Sequence, residues 1–486
     1  MTALAPTLLE TPLSPSRIAF LRERGMGASV FVAAITSAFG VLLVDATVFL
    51  GALLQSDPLI GNSQTLDYVV RILSVLLTAV AMYVAAIVTA NTFSTIVAGR
   101  TRRIALLRLI GASARSQRAE VAGQGLTVGV IGAMLGLVGG LLLAWAGTAI
   151  GSAALANAPQ GFSALQPAVL VPAVGVALTT WLAAWAGSRR VLTVTPLQAL
   201  AGSVERTSEE TSTVTGRHLG TLTMLVLGGA MLAGGVVFGL SSPLGVVVAF
   251  FGGVFSFSGL AIGSVLIMPP VLRVVARLFG RSATARLAAE NALRYPERSS
   301  RMAIGVVMGV TLVTMFAVAL ESAKALVLRT SDEQLPPEIF APFDAFGTVM
   351  MVLVGVSAVI AAVGLVNLLT IGVVQRRREL GLLRAIGLSS GQVRRMVLLE
   401  AAHVTIAATV TGLVLGVVYG WVAAQSLLGS VPTVPDLQPA GLIAPAVPWG
   451  PVAAIVVATA VLTLIAAVTP TRLATRVAPV EALAAD

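Results

Sequence analysis

The residues with the clearest chemical signature in this chain form a string that occurs twice. Residues 102–113 read RRIALLRLIGAS, and residues 378–389 read RELGLLRAIGLS. In each copy, arginines are interleaved with regularly spaced apolar side chains: Ile104, Leu107 and Ile110, then Leu380, Leu383 and Ile386. That spacing predicts a short amphipathic helix at the boundary between an apolar phase and water. Gly111 and Gly387 follow, suited to the left-handed turn that stops a helix. Ser113 and Ser389 are then placed to cap the next helix, and Ser389 with Gln392 has the form of a capping box. The chemistry on offer is docking and the transmission of force, not bond-making. A rigid element of this kind can pass a push from a soluble partner into two neighbouring helices. The plainer reading is an elbow whose arginines only set membrane topology.

The remaining candidates are isolated polar groups in apolar runs. Asp45 and Arg71 are expected near the same depth, where they can pair or face a substrate cavity. Asn91 and Asn367 occupy matched places and can bond across two helices or form a gate. His403 is expected to be a hydrogen-bonded packing residue, and Glu321 to mark the outer end of a span. Trp145 and Trp421 are expected in an outer aromatic belt.

Catalysis and metal binding find little support. There is no cysteine and there are only two histidines, His218 and His403, so thiolate and His-based metal sites are excluded. No G-x-x-x-x-G-K-[ST] phosphate loop occurs, and Lys324 lies in a stretch that is not glycine-rich. The formal charge is +10. Its arginines fall in turns between apolar runs, which points to membrane topology and away from nucleic acid.

The elements that must carry these residues are membrane helices. The chain is 57% hydrophobic and 11% charged, with mean hydropathy +0.95, outside the range of ordinary soluble domains. A helical span needs roughly 20 apolar residues. Ten are predicted, near 28–54, 68–93, 122–150, 167–187, 219–240, 244–268, 302–320, 346–374, 397–427 and 448–468. The stretch before Met26 carries Pro, Glu and Arg and does not read as a cleavable signal peptide. All arginine-rich loops fall on one side if both termini are cytoplasmic. The opposite side then carries only short loops, near 55–67, 151–166, 241–243, 321–345 and 428–447.

An offset of 276 superposes the two strings and their flanks: Asn91 on Asn367, Arg108 on Arg384, Trp145 on Trp421. RRVLTVTPLQAL (189–200) resembles RLATRVAPVEAL (472–483), closing each unit. The fold expected is an all-α polytopic membrane protein of about ten helices. It consists of two parallel four-helix repeats and a two-helix insert, with a pseudo-twofold axis along the membrane normal. The expected divisions are a first unit at 1–200, a cytoplasmic linker at 201–218, the insert at 219–283 and a second unit at 284–486.

These strings resemble the FtsX-like permease family, the membrane subunits of MacB-type (type VII) ABC systems. RRRELGLLRAIGLSSGQVRRMVLLEA (376–401) and TRRIALLRLIGASARSQRAEV (101–121) are similar to the region between the second and third helices of that family's four-helix unit. The resemblance implies a bacterial plasma-membrane permease without catalysis of its own. Two copies of a separate ATPase would supply ATP and Mg chemistry. It implies that residues 100–118 and 376–396 dock on that ATPase, through Arg102, Arg103, Leu107, Arg108, Gly111 and Ser113, and through Arg378, Glu379, Leu383, Arg384, Gly387 and Ser389. Arg103 stands where the second copy has Glu379, and Gln124 where it has Glu400, so the two contacts are expected to be unequal. Large outer domains found in relatives have no counterpart in the short outer loops here. This favours a hydrophobic or amphiphilic small molecule, lipid or peptide that arrives from the bilayer. The rival expectation is a mechanotransmitter that controls an outer enzyme or a sensor kinase without transport.

Overall fold

A computed structural model describes residues 26–55, 113–154, 163, 165–188, 215–278, 282–294, 296–329, 377–433, 438–439 and 441–476, with some residues between 71 and 87. The helices are α1 (Met26–Gln55), α2 (Ala114–Ala154), α3 (Leu170–Gly187), α4 (Thr215–Gly239), α5 (Gly245–Ile262) and α6 (Ser264–Ala276). They continue with α7 (Ala283–Arg294), α8 (Pro296–Arg329), α9 (Arg377–Ala385), α10 (Ser390–Leu428) and α11 (Trp449–Arg476). The described residues between 71 and 87 are also helical. The sole strand pairing is a two-residue antiparallel bridge, Pro432–Thr433 (β1) with Gln438–Pro439 (β2), among the described residues.

Among the described residues, seven helices are long and apolar enough to cross a membrane. The protein is an all-α polytopic membrane protein, because within lipid only helices satisfy every backbone group internally in a single segment. The expected span at 346–374 lies outside the described residues, as does much of 68–93. α2 and α10 run 41 and 39 residues, about 60 Å at 1.5 Å per residue, against a hydrocarbon core of about 30 Å. Both are therefore long enough to carry their charged first two turns, with Arg115 and Arg118 in one and Arg394 and Arg395 in the other, beyond the apolar zone.

The helices approach through small residues. A Cβ on Gly136 would strike the Ala34 carbonyl and Ser37 of α1, and one on Gly140 would lie 2.8 Å from Val41 Cβ. Ser37 Oγ donates to Ala133 O at 3.1 Å across the same crossing. In the second half, a Cβ on Gly412 would lie 2.8 Å from Val310 Cβ, and one on Gly416 would strike Thr314. Gly412 matches Gly136, and Val310 matches Ala34, by the same offset that relates the two arginine strings. One helix crossing is therefore built twice, as close packing in lipid requires.

The insert forms a tight hairpin, with Gly228 against Ser256 and Gly235 against Ala249. It packs on α10 and α8. It also meets the first half: Tyr83 OH donates to Val254 O at 3.1 Å and bonds Ser258 Oγ at 2.8 Å, while Ser256 Oγ bonds Tyr419 OH of α10 at 2.8 Å. Phe39 and Leu43 of α1 join Phe257, Met268, Val307 and Ala407 in the central core.

Four expectations are corrected. The span at 244–268 is not continuous: α5 stops at Gly263, pressed against Thr221, and α6 restarts there with Pro269 and Pro270 inside it. Ser300 Oγ donates to Ser264 O at 3.0 Å and holds the corner. The loop expected from 321 begins no earlier than 330, because α8 continues through ESAKALVLR, which lacks Gly and Pro. Lys324 is therefore helical. The linker expected to 218 gives way to α4 at Thr215. Trp145 is exposed, as a belt residue is, but Trp421 is partly buried and donates Nε1 to Ile443 O at 2.8 Å.

Gly412→Ile should lower the thermal unfolding midpoint in detergent, at a cost of about 1–3 kcal/mol. Gly139→Ile, whose Cβ meets nothing within 4 Å, should leave it nearly unchanged.

Candidate coupling site and outer strap

α9 has nine residues, with Glu379 in its first turn and Arg384 in its last. Both charges suit the helix dipole. It ends in a complete Schellman motif: Leu388 N–H donates to Leu383 O at 3.0 Å, and Gly387 N–H to Arg384 O at 3.2 Å. Gly387 has φ +111°, a conformation that side chains rarely adopt. Just beyond it, Ser389 caps α10. Its Oγ accepts from Gln392 N at 3.2 Å, and Gln392 Oε1 accepts from Ser389 N at 2.9 Å. The corner between the two helices is thus locked on both sides, as the sequence pattern predicts.

The apolar face of α9 is turned onto protein. Leu380 is 2% exposed and packs with Ala288 of α7 and with Val393, Met396 and Val397 of α10; Leu383 and Leu388 flank it. The expected third member of that face, Ile386, is 69% exposed, as is much of Leu382. Ile386 lies in the turn after α9, where the helical period no longer applies. α7 is itself tied to α10, since Asn291 Nδ2 donates to the buried Glu400 Oε2 at 2.6 Å. Ser299 Oγ donates to Ala292 O at 2.7 Å and fixes α7 to α8. The result is one platform of α7, α9 and the start of α10. Sequence reasoning missed Asn291, whose role rests on a partner far along the chain, Glu400, that spacing cannot reveal.

In the first copy, Arg102, Arg103, Leu107, Arg108 and Gly111 lie outside the described residues. Ser113 is described: its Oγ accepts from Ser116 N at 3.1 Å and so caps α2. Residue 116 is a serine, so the reciprocal half of a capping box is missing. Gln124, the counterpart of Glu400, donates to Glu120 Oε1 at a long 3.4 Å. Nearby, the Arg118 guanidinium sits 4.2 Å from the ring centroid of Trp185, a cation–π contact. Of the second-copy residues, Glu379 is exposed and Arg384 partly so, and Arg378 belongs to α9.

Asn91 and Asn367 lie outside the described residues. Asp45 is buried, with no ion pair among the described residues, and Arg71 is exposed. The expected Asp45–Arg71 pair is therefore not formed, because Asp45 points inward from α1 while Arg71 faces outward. His403 is buried with Nδ1 2.9 Å from Leu399 O, the packing role expected of it. No group of three metal-ligating side chains comes together among the described residues.

At the other end of α10, Gln425 holds the following segment with both ends of its amide. Nε2 donates to Gly441 O, and Oε1 accepts from Ile443 N, each at 2.7 Å. Ala446 N donates to Ser322 Oγ of α8 at 3.1 Å. These bonds lash residues 441–446 as a strap across α10 and α8. The first copy has Ala149 where Gln425 stands, so it offers no side-chain amide at that place.

Two matched helix crossings, an arginine-rich string that occurs twice in the sequence and several apolar spans define a polytopic membrane protein with an internal repeat. Residues 75–196 and 351–479, together just over half the chain, match the family described as FtsX-like permease C-terminal, and the chain belongs to the FtsX-like permease family. It is similar to the ABC transporter permease YtrF of Bacillus subtilis, 37% identical over 60 residues, covering 12% of this chain and 14% of the relative. It is also similar to the macrolide export ATP-binding/permease protein MacB of Rhodopirellula baltica, 28% identical over 141 residues, covering 27% of this chain and 17% of the relative. The chain thus spans under a fifth of each relative's length. Its class is that of an FtsX-like permease, a multi-pass membrane protein.

Ser389→Ala should cost about 1 kcal/mol and speed amide exchange at residues 391–393, with little change elsewhere. Gln425→Leu, which deletes two buried hydrogen bonds, should cost about 1–3 kcal/mol and make residues 429–448 cleave faster under limited proteolysis.

Proposed function

We propose that this chain couples ATP hydrolysis by a separate ATPase to the export or extraction of a hydrophobic or amphiphilic molecule from the bilayer. Two ATPase copies dock at residues 100–118 and 376–396, with both termini cytoplasmic and the bacterial plasma membrane as its location. The units are 1–200 and 284–486, separated by a linker from 201 to the start of α4 at Thr215 and by the insert that α4 opens, and related by a pseudo-twofold axis along the membrane normal.

The observation that carries this reading is the locked corner between α9 and α10. α9 cannot pivot independently, because its apolar face is buried against α7 and α10 and its exit is fixed by Gly387 and Ser389. A force on its side bearing Arg384 and the exposed Leu382 and Ile386 therefore moves α10. α10 runs unbroken over its 39 residues, past Gln425 and the strap. The names of the relatives, one an ABC permease and one a macrolide exporter with its own ATP-binding part, support the same division of labour. The short outer connections support a substrate that enters from lipid. Asp45, Arg71, Asn91 and Asn367 are the candidates for its path or gate.

The test is affinity purification of the full chain in mild detergent, with identification of the bound subunits and assay of their hydrolysis. Joint Gly111→Pro and Gly387→Pro should leave assembly intact and lower permease-stimulated hydrolysis on the order of tenfold. Unaltered turnover rejects the coupling role. Coupled hydrolysis with no uptake of any lipophilic probe into inverted vesicles would replace transport with mechanotransmission.

A further inference from the structure

The two halves carry an acid at the same place. Asp45 on α1 and Glu321 on α8 are related by the repeat offset, the one that places Gly412 on Gly136 and Val310 on Ala34. Asp45 is the only charged residue of α1. It is 3% exposed, and its Oδ1 has no hydrogen-bond partner among the described residues. Glu321 is partly buried and precedes Ser322, which holds the strap.

The helical period locates Asp45 more closely. Val41, Val44 and Val48 face Val169, Leu137 and Leu141, while Phe39, Leu42 and Leu43 face the central core. At about 100° per residue, Asp45 falls on the seam between these two stripes. Phe49, also buried, lies one turn further along the same side. A carboxylate in such surroundings is costly unless a positive group completes it, and among the described residues the chain supplies none to Oδ1.

We propose that Asp45 is the recognition point for a lipophilic cation, and that Glu321 is its counterpart in the second half. The ligand class is an amphiphile whose ammonium-like head meets the carboxylate while its apolar body lies against the aliphatic and phenyl walls of the seam. This deepens the transport reading above and rests on it for the statement that the bound cation is the substrate.

The full chain in phosphatidylcholine nanodiscs should bind radiolabelled tetraphenylphosphonium saturably in equilibrium dialysis. Asp45→Asn should weaken that binding by about tenfold or more, Asp45→Glu should largely retain it, and Glu321→Gln should weaken it less. Equal binding by Asp45→Asn, or no saturable binding by the unmodified chain, overturns the proposal. A measurement free of folding effects uses the unmodified protein. Dicyclohexylcarbodiimide, a neutral lipophilic carboxyl reagent, should label Asp45 by peptide mass spectrometry, and tetraphenylphosphonium should suppress the labelling. Labelling that is absent or insensitive to the cation also overturns it. The two readings separate cleanly. Asp45-dependent binding without ATP-driven uptake of the cation removes transport but keeps the site. ATP-driven uptake of a neutral lipid, with cation binding indifferent to Asp45, removes the site but keeps transport.

Discussion

Close approach between helices in lipid is the constraint on which this structure depends. Lipid chains are as apolar as the side chains they touch, so burying Leu or Val between helices gains little over leaving them in the bilayer. What holds α1 to α2 and α8 to α10 is contact at backbone distance, possible only where Gly136, Gly140, Gly412 and Gly416 lack a Cβ. The same device closes the α4–α5 hairpin at Gly228 and Gly235. Large apolar side chains, such as Leu142, Leu222 and Val414, are left on the outside, where lipid solvates them without penalty.

With the helices fixed by packing, polar bonds are free to define positions along the membrane normal. Tyr83 and Tyr419 each reach a serine of α5, from opposite halves of the chain, and so pin the insert between them. Near the arginine side, Ser389, Gln392, Asn291 and Glu400 set the platform. On the opposite side, Gln425 and Ser322 set the strap. α10 joins the two regions. α8, bonded to α7 through Ser299 and to the strap through Ser322, joins them as well, and α10 is the longer of the two unbroken connections. The halves are not equivalent in this respect: Gln425 matches Ala149 and Glu400 matches Gln124 in the register of the repeat. An internal duplication has kept the crossing geometry and diverged in the polar fittings at both ends.

Much of the candidate site was legible in local sequence. The stop at Gly387 and the capping box of Ser389 and Gln392 need only a few consecutive residues, and the structure places both as the pattern requires. The period-three apolar face was legible in part. Leu380 and Leu383 turn inward, while Ile386 escapes because it lies beyond the helix end. Pairing between distant spans was not legible. Asp45 and Arg71 look like partners on a one-dimensional scale of depth, but depth says nothing about azimuth, and they face different ways.

By itself, then, the sequence determined that the chain lives in a membrane, that it repeats with a constant offset, and where its short helix must start and stop. Those properties depend on composition, periodicity and bonds within a single turn. Only the tertiary structure decided that α9 rests on α7, that the span expected at 244–268 breaks at Gly263, and that Trp421 and Gln425 bind a strap. Each of those depends on which face of one helix meets another. Rotation about a helix axis costs nothing locally and is settled only when the side chains of distant segments interlock.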